Sequence, residues 1–135
     1  MDAPLTAQSC PFERAILSRT CACRFAKRVS MTPNQKVQCA SEYGYRDCVD
    51  MLNHVRKNVN FSIGLTHVPS ALPRAQATRL QCGMLIGLQN ALDKVVEHSS
   101  INNIYDTVQR AIKRYGPLQN LPVQELIRSI AAYDK

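Results

Sequence analysis

The apolar residues between positions 41 and 60 recur at every third or fourth position, which is the spacing of one face of an α-helix. The stripe consists of Tyr45, Cys48, Leu52, Val55 and Val59. Ser41 followed by Glu42 is a favourable start, because serine can cap the first turn and an acidic residue complements the helix dipole. The pattern predicts a helix from Ser41 to about Asn60.

Three more segments in the second half of the chain show helical spacing. Residues 74–97 carry a buried stripe made of Leu80, Met84, Leu88, Leu92 and Val95. Residues 101–115 follow Ser100, a good N-cap, and stop at Gly116, a good helix end. Pro122 opens a last helix that extends to about Tyr133. Glycine and prolines between residues 62 and 73 predict a connecting loop.

The first 40 residues carry weaker signals. Pro11 and Glu13 suit the first turn of a short helix that begins at Cys10 and ends near residues 19–20. A second short helical segment is predicted over residues 23–29 and a loop over residues 30–38. No segment shows a convincing strand pattern. The expected fold is all-α, a single compact domain in which a helical bundle of about four main helices (residues 41–135) carries a cysteine-rich metal-binding arm (residues 1–40).

The composition fits a globular chain and gives no sign of a membrane span. Hydrophobic residues make up 45% of the chain, enough for a core of its own. No run approaches the ~20 apolar residues that cross a bilayer, so no membrane insertion is expected. The first residues lack the basic and apolar regions of a secretory signal, which predicts a cytoplasmic location where thiols stay reduced. The net charge of +7 fits weak attraction to an acidic partner protein or to nucleic acid.

Most of the cysteines are concentrated in the first third of the chain. Those between residues 10 and 48 are Cys10, Cys21, Cys23, Cys39 and Cys48. In a reducing compartment, clustered cysteines point to metal binding or redox chemistry more often than to disulfides. Thiolates are soft ligands that select zinc, copper(I) or iron–sulfur clusters. All five are therefore candidate metal ligands, and structural or redox-active free thiols are the alternative.

The spacing of these cysteines favours a cluster over zinc. Structural zinc sites usually pair their ligands as Cys-x(2–4)-Cys knuckles, whereas this chain has one Cys-x-Cys, at Cys21 and Cys23. The bacterial ferredoxin run is absent too, so an ordinary ferredoxin is not expected. A four-iron, four-sulfur (4Fe-4S) cube is larger than a zinc ion and accepts ligands from scattered segments. The predicted cofactor is an iron–sulfur cluster of the 4Fe-4S type, with zinc as the alternative.

Four thiolates are enough to hold a zinc ion or a cluster, so one of the five candidate ligands is not needed. A rise of ~1.5 Å per residue separates Cys39 and Cys48 by roughly 13 Å along a straight helix. Both reach one cluster only if the segment before Ser41 folds back. Cys48 also lies on the apolar stripe, so a buried packing role competes with ligation. Cys82 stands inside a later helix, where plain packing is the expected role. His54, nearly two turns after Cys48, is a weaker candidate for a missing ligand.

Basic residues surround the first three cysteines. Arg14 and Arg24 are the candidate cofactor-binding residues, because cations near a cluster offset its negative charge and raise its reduction potential. The alternative is a solvated basic surface on a short helix.

Two segments resemble a group of small, poorly characterised proteobacterial proteins that are thought to bind iron–sulfur clusters. The first is Cys10-Pro11-Phe12-Glu13-Arg14-Ala15-Ile16-Leu17, followed by Cys21-Ala22-Cys23-Arg24 and then by Cys39 and Cys48. The second is Leu80-Gln81-Cys82-Gly83-Met84-Leu85-Ile86-Gly87-Leu88-Gln89. The resemblance covers about residues 10–92 and implies that the cysteines of the arm are ligands. It also implies that the Cys82 segment packs beside the cluster.

These observations predict a non-enzymatic iron–sulfur protein that carries electrons, or that passes electrons or clusters to a redox enzyme. Its expected partner is an acidic redox protein, and nucleic acid is a weaker candidate because no binding module is recognisable. The alternative function is a zinc-stabilised adaptor or regulator that binds nucleic acid or protein. Thiol redox activity of Cys21 and Cys23 is a third hypothesis. The chain contains no Gly-rich phosphate loop and no His-Glu-x-x-His motif.

Overall fold

The computed structural model describes residues 8–31, 34–62, 73–94 and 98–133. In chain order, the described elements are β1 (Gln8–Ser9), α1 (Glu13–Leu17), β2 (Ala26–Met31), β3 (Asn34–Cys39), α2 (Glu42–Ser62), α3 (Arg74–Asp93), α4 (Ile104–Tyr115), a 3-10 turn (Leu118–Asn120) and α5 (Val123–Ala132). The protein is mostly helical, as expected, but it also contains a small antiparallel sheet.

The long helices confirm the predictions made from apolar spacing. The predicted helix from Ser41 is α2, and the last predicted helix is α5. The helix predicted over residues 74–97 is α3, which ends at Asp93 because Lys94 adopts a left-handed conformation (φ 57°). Residues 95–97, and most of the loop predicted over residues 62–73, lie outside the described residues.

The sheet corrects the all-α prediction. Strands β1, β3 and β2 form an antiparallel sheet in that order, with the central strand β3 paired on both sides. Strand β2 therefore replaces the predicted short helix over residues 23–29, and β3 replaces part of the loop over residues 30–38. Val37 is fully buried while its neighbour Lys36 is exposed, so the strand buries alternate side chains. Such short strands carry too few alternations to stand out in the sequence.

The start of α4 is a second correction. Ser100 was the expected N-cap, but Asn103 occupies the N-cap position and the helix begins at Ile104. The reason is a parallel bridge between Cys21 and Ile101. Ile101 donates its N–H to the carbonyl of Thr20 (3.0 Å) and accepts the N–H of Ala22 (2.9 Å). Extended backbone at Ile101 delays the helix and ties the cysteine-bearing segment to the helical part of the chain.

Helix α3 lies at the centre of the hydrophobic core. Every residue from Leu80 to Leu88 is buried, which is the property of a helix surrounded by other elements. It packs most extensively against α5 and also against α1 and α4. Phe12 and Ile16 join the same core, so the N-terminal segment and the helices share one buried cluster. None of the helices in the described ranges is long and apolar enough to cross a membrane.

Helices α3 and α5 approach most closely at Gly83. A Cβ atom at this position would meet the Cα atom of Ile130 at 2.6 Å, a distance that requires backbone to move. The hydroxyl of Ser129 donates to the carbonyl of Gly83 (2.7 Å) across the same contact. The absence of a side chain at Gly83 therefore allows α5 to cover α3.

We expect Gly83→Ala to destabilise the protein. Overpacking costs about 1–3 kcal/mol, and the gain in helix propensity of about 1 kcal/mol offsets only part of it. The free energy of unfolding, measured by urea denaturation, should fall by about 1–2 kcal/mol. Gln76→Ala, at an exposed position of the same helix, should change it by less than about 0.5 kcal/mol. A stabilising Gly83→Ala would contradict the close contact.

Candidate metal centre

Four cysteines from four separate segments form one group: Cys10, Cys23, Cys39 and Cys48. Electrostatic interaction links these thiols in every pairwise combination: Cys23 and Cys39 raise the pKa of Cys10, Cys23 raises that of Cys39, and the other three thiols raise that of Cys48. Because Coulomb interactions weaken with distance, this mutual influence places the four sulfur atoms in one neighbourhood. The structure thus brings four of the five cysteines predicted as ligands into one neighbourhood, but among the described residues no three of them are close enough together to hold a metal ion as they stand.

The sheet places three of these cysteines at one end. Cys39 is the last residue of the central strand and pairs with Gln8 of β1 and with Ala26 of β2. Cys10 follows β1 directly, and Cys23 precedes β2 by a turn in which the N–H of Ala26 donates to the Cys23 carbonyl (3.1 Å). Strand pairing on both sides of β3 therefore gathers Cys10, Cys23 and Cys39.

Hydrogen bonds hold the Cys10 segment against β3. The N–H of Cys10 donates to the carbonyl of Val37 (2.9 Å). In return, the carboxylate of Glu13 accepts the N–H of Val37 (2.7 Å). Glu13 thus connects α1 to the strand that ends at Cys39.

Helix α2 supplies the fourth thiol after a sharp reversal of the chain. Ser41 caps this helix, because its hydroxyl accepts the N–H of Gly44 (3.0 Å). The Cys39 thiol donates to the carbonyl of Ser41 (3.4 Å), so the chain folds back directly after β3. Cys48 lies on the inner face of α2 and is 7% exposed. The reversal is the feature that lets Cys39 and Cys48 share one neighbourhood.

Burial sets the protonation of these thiols. It raises the pKa of Cys10 to about 12, and it also raises the pKa values of Cys39 and Cys48. The carboxylate of Glu13 adds to the rise at Cys10, and that of Asp47 adds to the rise at Cys48. Without metal, these three groups are neutral thiols at pH 7. Ligation would therefore release their protons, since the metal binds the thiolate.

Cys21 does not belong to this group. Its thiol is hydrogen-bonded to that of Cys82, inside α3. That hydrogen bond raises the pKa of Cys21 and lowers the pKa of Cys82, as expected if Cys21 donates the proton. Cys21 and Cys23 therefore face different partners, although only one residue separates them. The resemblance implies that the Cys82 segment packs beside the cysteine arm, but the pairing of Cys82 with Cys21 in particular joins positions far apart along the chain and leaves no local pattern.

The two candidate cofactor-binding arginines differ in exposure. Arg14 is half-buried on α1, and Arg24 is exposed with its guanidinium carbon 5.2 Å from the centroid of the Phe25 ring. Arg28 has a structural contact, because its guanidinium donates to the carbonyl of Ile16 at the end of α1 (2.9 Å). A role of Arg14 and Arg24 toward a cofactor stays a prediction.

His54, the weaker candidate ligand, is a residue of α2. His54 lies 3.5 Å (Nε2) from the side-chain nitrogen of Asn58 and lines a cleft of about 500 Å³ next to the start of α5. Throughout the ranges given above, no three His, Cys, Asp or Glu side chains are grouped tightly enough to hold a metal ion.

Comparisons with models of protein families, with curated proteins and with solved structures found no match.

The raised pKa of Cys10 predicts a loss of stability at alkaline pH in the metal-free chain. The pKa is about 12 in the folded state against an ordinary value of 9.0, so the unfolded state loses this proton first as the pH rises. The protonated thiol therefore stabilises the fold fully below about pH 9, and this contribution is lost as the pH approaches 12. Urea denaturation under reducing conditions should show stability falling above about pH 9, by at most about 1.4 kcal/mol per pH unit from this group.

Cys10→Ser provides the control, since a serine hydroxyl does not titrate in this range. Its stability should fall less steeply with pH than that of the wild-type chain. Equal slopes for the two proteins would show that the Cys10 thiol is not held protonated by the fold.

Proposed function

We propose that Cys10, Cys23, Cys39 and Cys48 bind an iron–sulfur cluster, of the 4Fe-4S type. The observation that carries the proposal is the mutual influence of the four thiols, which reach one neighbourhood from four segments of the chain. Four cysteine thiolates are the ligand set of such clusters. The neighbouring helices and sheet provide a partly dry environment, because Cys39 and Cys48 are buried.

The distribution of the ligands along the chain supports a cluster over zinc. Zinc knuckles take two ligands from one short Cys-x(2–4)-Cys loop. Because the Cys21 thiol is hydrogen-bonded to that of Cys82, the Cys-x-Cys segment contributes only Cys23 to the group of four. No two of the four ligands are then closer in sequence than Cys39 and Cys48. Each of these segments, at the end of the sheet, in a turn and in a helix, supplies a single cysteine. Such a ligand set suits a cluster, whose iron atoms face different directions.

We further propose that the protein carries electrons, or serves as an accessory factor that delivers electrons or clusters to a redox enzyme. Cys10 and Cys23 are only half-buried, so this side of the centre lies near the surface, within reach of a partner. Arg24 and Lys27 are exposed next to Cys23. Exposed cations at this edge suit an acidic redox protein, whose approach they would steer. The six free thiols fit a reducing compartment such as the cytoplasm.

Anaerobic reconstitution with iron and sulfide tests the proposal. The wild-type chain should become brown and bind about four iron and four sulfide ions. Cys23→Ser should lose most of the bound iron, because it removes one of the four ligands. Cys21→Ser makes the same chemical change two residues away and should retain the cluster. Cys10→Ser, Cys39→Ser and Cys48→Ser should resemble Cys23→Ser, and Cys82→Ser should resemble Cys21→Ser.

Three results of the same reconstitution experiment would overturn the proposal. Equal loss of iron in Cys21→Ser and Cys23→Ser would contradict the assignment of ligands, provided that circular dichroism shows both variants folded. A colourless protein with about one zinc ion per chain would replace the cluster with a zinc-stabilised adaptor. A chain that binds neither metal would remove the metal centre altogether.

A further inference from the structure

A second pair of thiols lies apart from the four-cysteine group. Cys21 is in the segment between α1 and β2, where the bridge to Ile101 fixes its backbone. Cys82 is in the buried middle of α3, and its thiol is hydrogen-bonded to that of Cys21. Both residues belong to the same buried core, and the bridge fixes the backbone of Cys21 beside it. Neither thiol is used by the proposed metal centre.

Hydroxyl groups surround the Cys82 sulfur. The Ser18 hydroxyl lies 3.5 Å from it, and the hydroxyls of Thr20 and Tyr133 are also hydrogen-bonded to it. The hydroxyls of Thr20 and Tyr133 are 3.0 Å apart. When Thr20 donates to Tyr133, the proton of Tyr133 is free to point at the sulfur. Such donors stabilise a thiolate, which is the nucleophilic form of cysteine.

The pair is buried, and one side of it lies nearer to the surface than the other. Cys82 is 0% exposed and Cys21 is 4% exposed. The hydroxyl side of the pair is closer to solvent, because Ser18 is exposed and Thr20 and Tyr133 are half-buried. A protein disulfide cannot approach these sulfur atoms without opening the core. The hydroxyl side is therefore the side from which a small oxidant would enter.

We propose that Cys21 and Cys82 form a redox-active dithiol that hydrogen peroxide oxidises to an intramolecular disulfide, with Cys82 as the attacking sulfur and Cys21 as the resolving sulfur. This site is separate from the iron–sulfur centre and does not rest on it. The hydroxyl layer serves as the donor set for the Cys82 thiolate and for the departing oxygen.

The chemistry balances in two steps. The Cys82 thiolate attacks one peroxide oxygen, the O–O bond breaks, and the leaving hydroxide takes a proton to become water, which leaves Cys82 as a sulfenic acid. The Cys21 sulfur then attacks the Cys82 sulfur, the S–O bond breaks, and the thiol proton of Cys21 leaves with the hydroxyl as a second water. The two thiols lose two electrons in total, and the peroxide gains them. A small thiol reductant returns the disulfide to the dithiol by exchange.

Mass spectrometry of the full chain tests the proposal. The metal is first removed with a chelator, so that the outcome does not depend on the proposed cluster. After brief treatment with one equivalent of hydrogen peroxide, the remaining thiols are alkylated and the chain is digested. We expect a linked peptide pair joining Cys21 to Cys82, which dithiothreitol separates. Cys23→Ser should form the same link at the same rate.

Three variants separate a redox site from simple packing. Cys82→Ser should form no link at Cys21. Cys21→Ser should accumulate a sulfenic acid at Cys82, which dimedone captures when the chain is unfolded in its presence. Tyr133→Phe removes one hydroxyl donor and should slow the reaction by about tenfold, the value of a hydrogen bond to a charged group. Tyr43→Phe, at an exposed tyrosine (76%), should leave the rate unchanged.

Several outcomes would overturn the proposal. One is the absence of the Cys21–Cys82 link in the wild-type chain while its other thiols are oxidised. Another is a rate no higher than that of free cysteine. A third is an equal rate for Tyr133→Phe and the wild-type chain, which would show that the hydroxyl layer has no part in the reaction.

Discussion

The antiparallel pairing of the central strand Asn34–Cys39 with a strand on each side is the interaction on which the candidate metal centre depends. The pairing fixes where the chain enters and leaves the sheet, and three cysteines stand at those points. Cys39 ends the central strand, Cys10 follows one neighbour and Cys23 precedes the other. Each backbone hydrogen bond contributes only about 1 kcal/mol to stability. The strand register therefore also relies on the burial of the Val37 side chain and on the hydrogen bond from the Val37 N–H to the Glu13 carboxylate.

The core gives Cys82 the opposite property to the thiols of the four-cysteine group. Burial among apolar neighbours and other thiols keeps Cys10, Cys39 and Cys48 protonated until a metal displaces the protons. Donors around Cys82 favour its thiolate instead. The segment that carries both Cys21 and Cys23 separates these environments, because the bridge to Ile101 holds Cys21 toward α3 before the chain turns into β2. The two proposed sites would thus use one residue type for two chemistries within a short stretch of chain.

Sequence reasoning succeeded where structure is local and failed where distant contacts decide it. The apolar stripe from Tyr45 to Val59 predicted α2, since a long helix repeats its pattern several times. The strands were missed because each is short and is stabilised by pairing rather than by its own pattern. Ile101 was assigned to a helix although its contact with Cys21 keeps it extended. The cysteines were recognised as candidate ligands from their clustering, but their division into a group of four and a pair depends on Cys82, which only the folded chain brings near.

Iron-edge X-ray absorption of the chain purified without oxygen measures the central claim most directly, because it reports the atoms around each iron. Four converging thiols predict iron surrounded by sulfur, with a second iron at short distance as in a cluster. The signal should disappear in Cys48→Ser, since α2 then offers no ligand to the sheet end. Iron surrounded by nitrogen and oxygen, or an isolated iron with no second iron near it, would contradict the account.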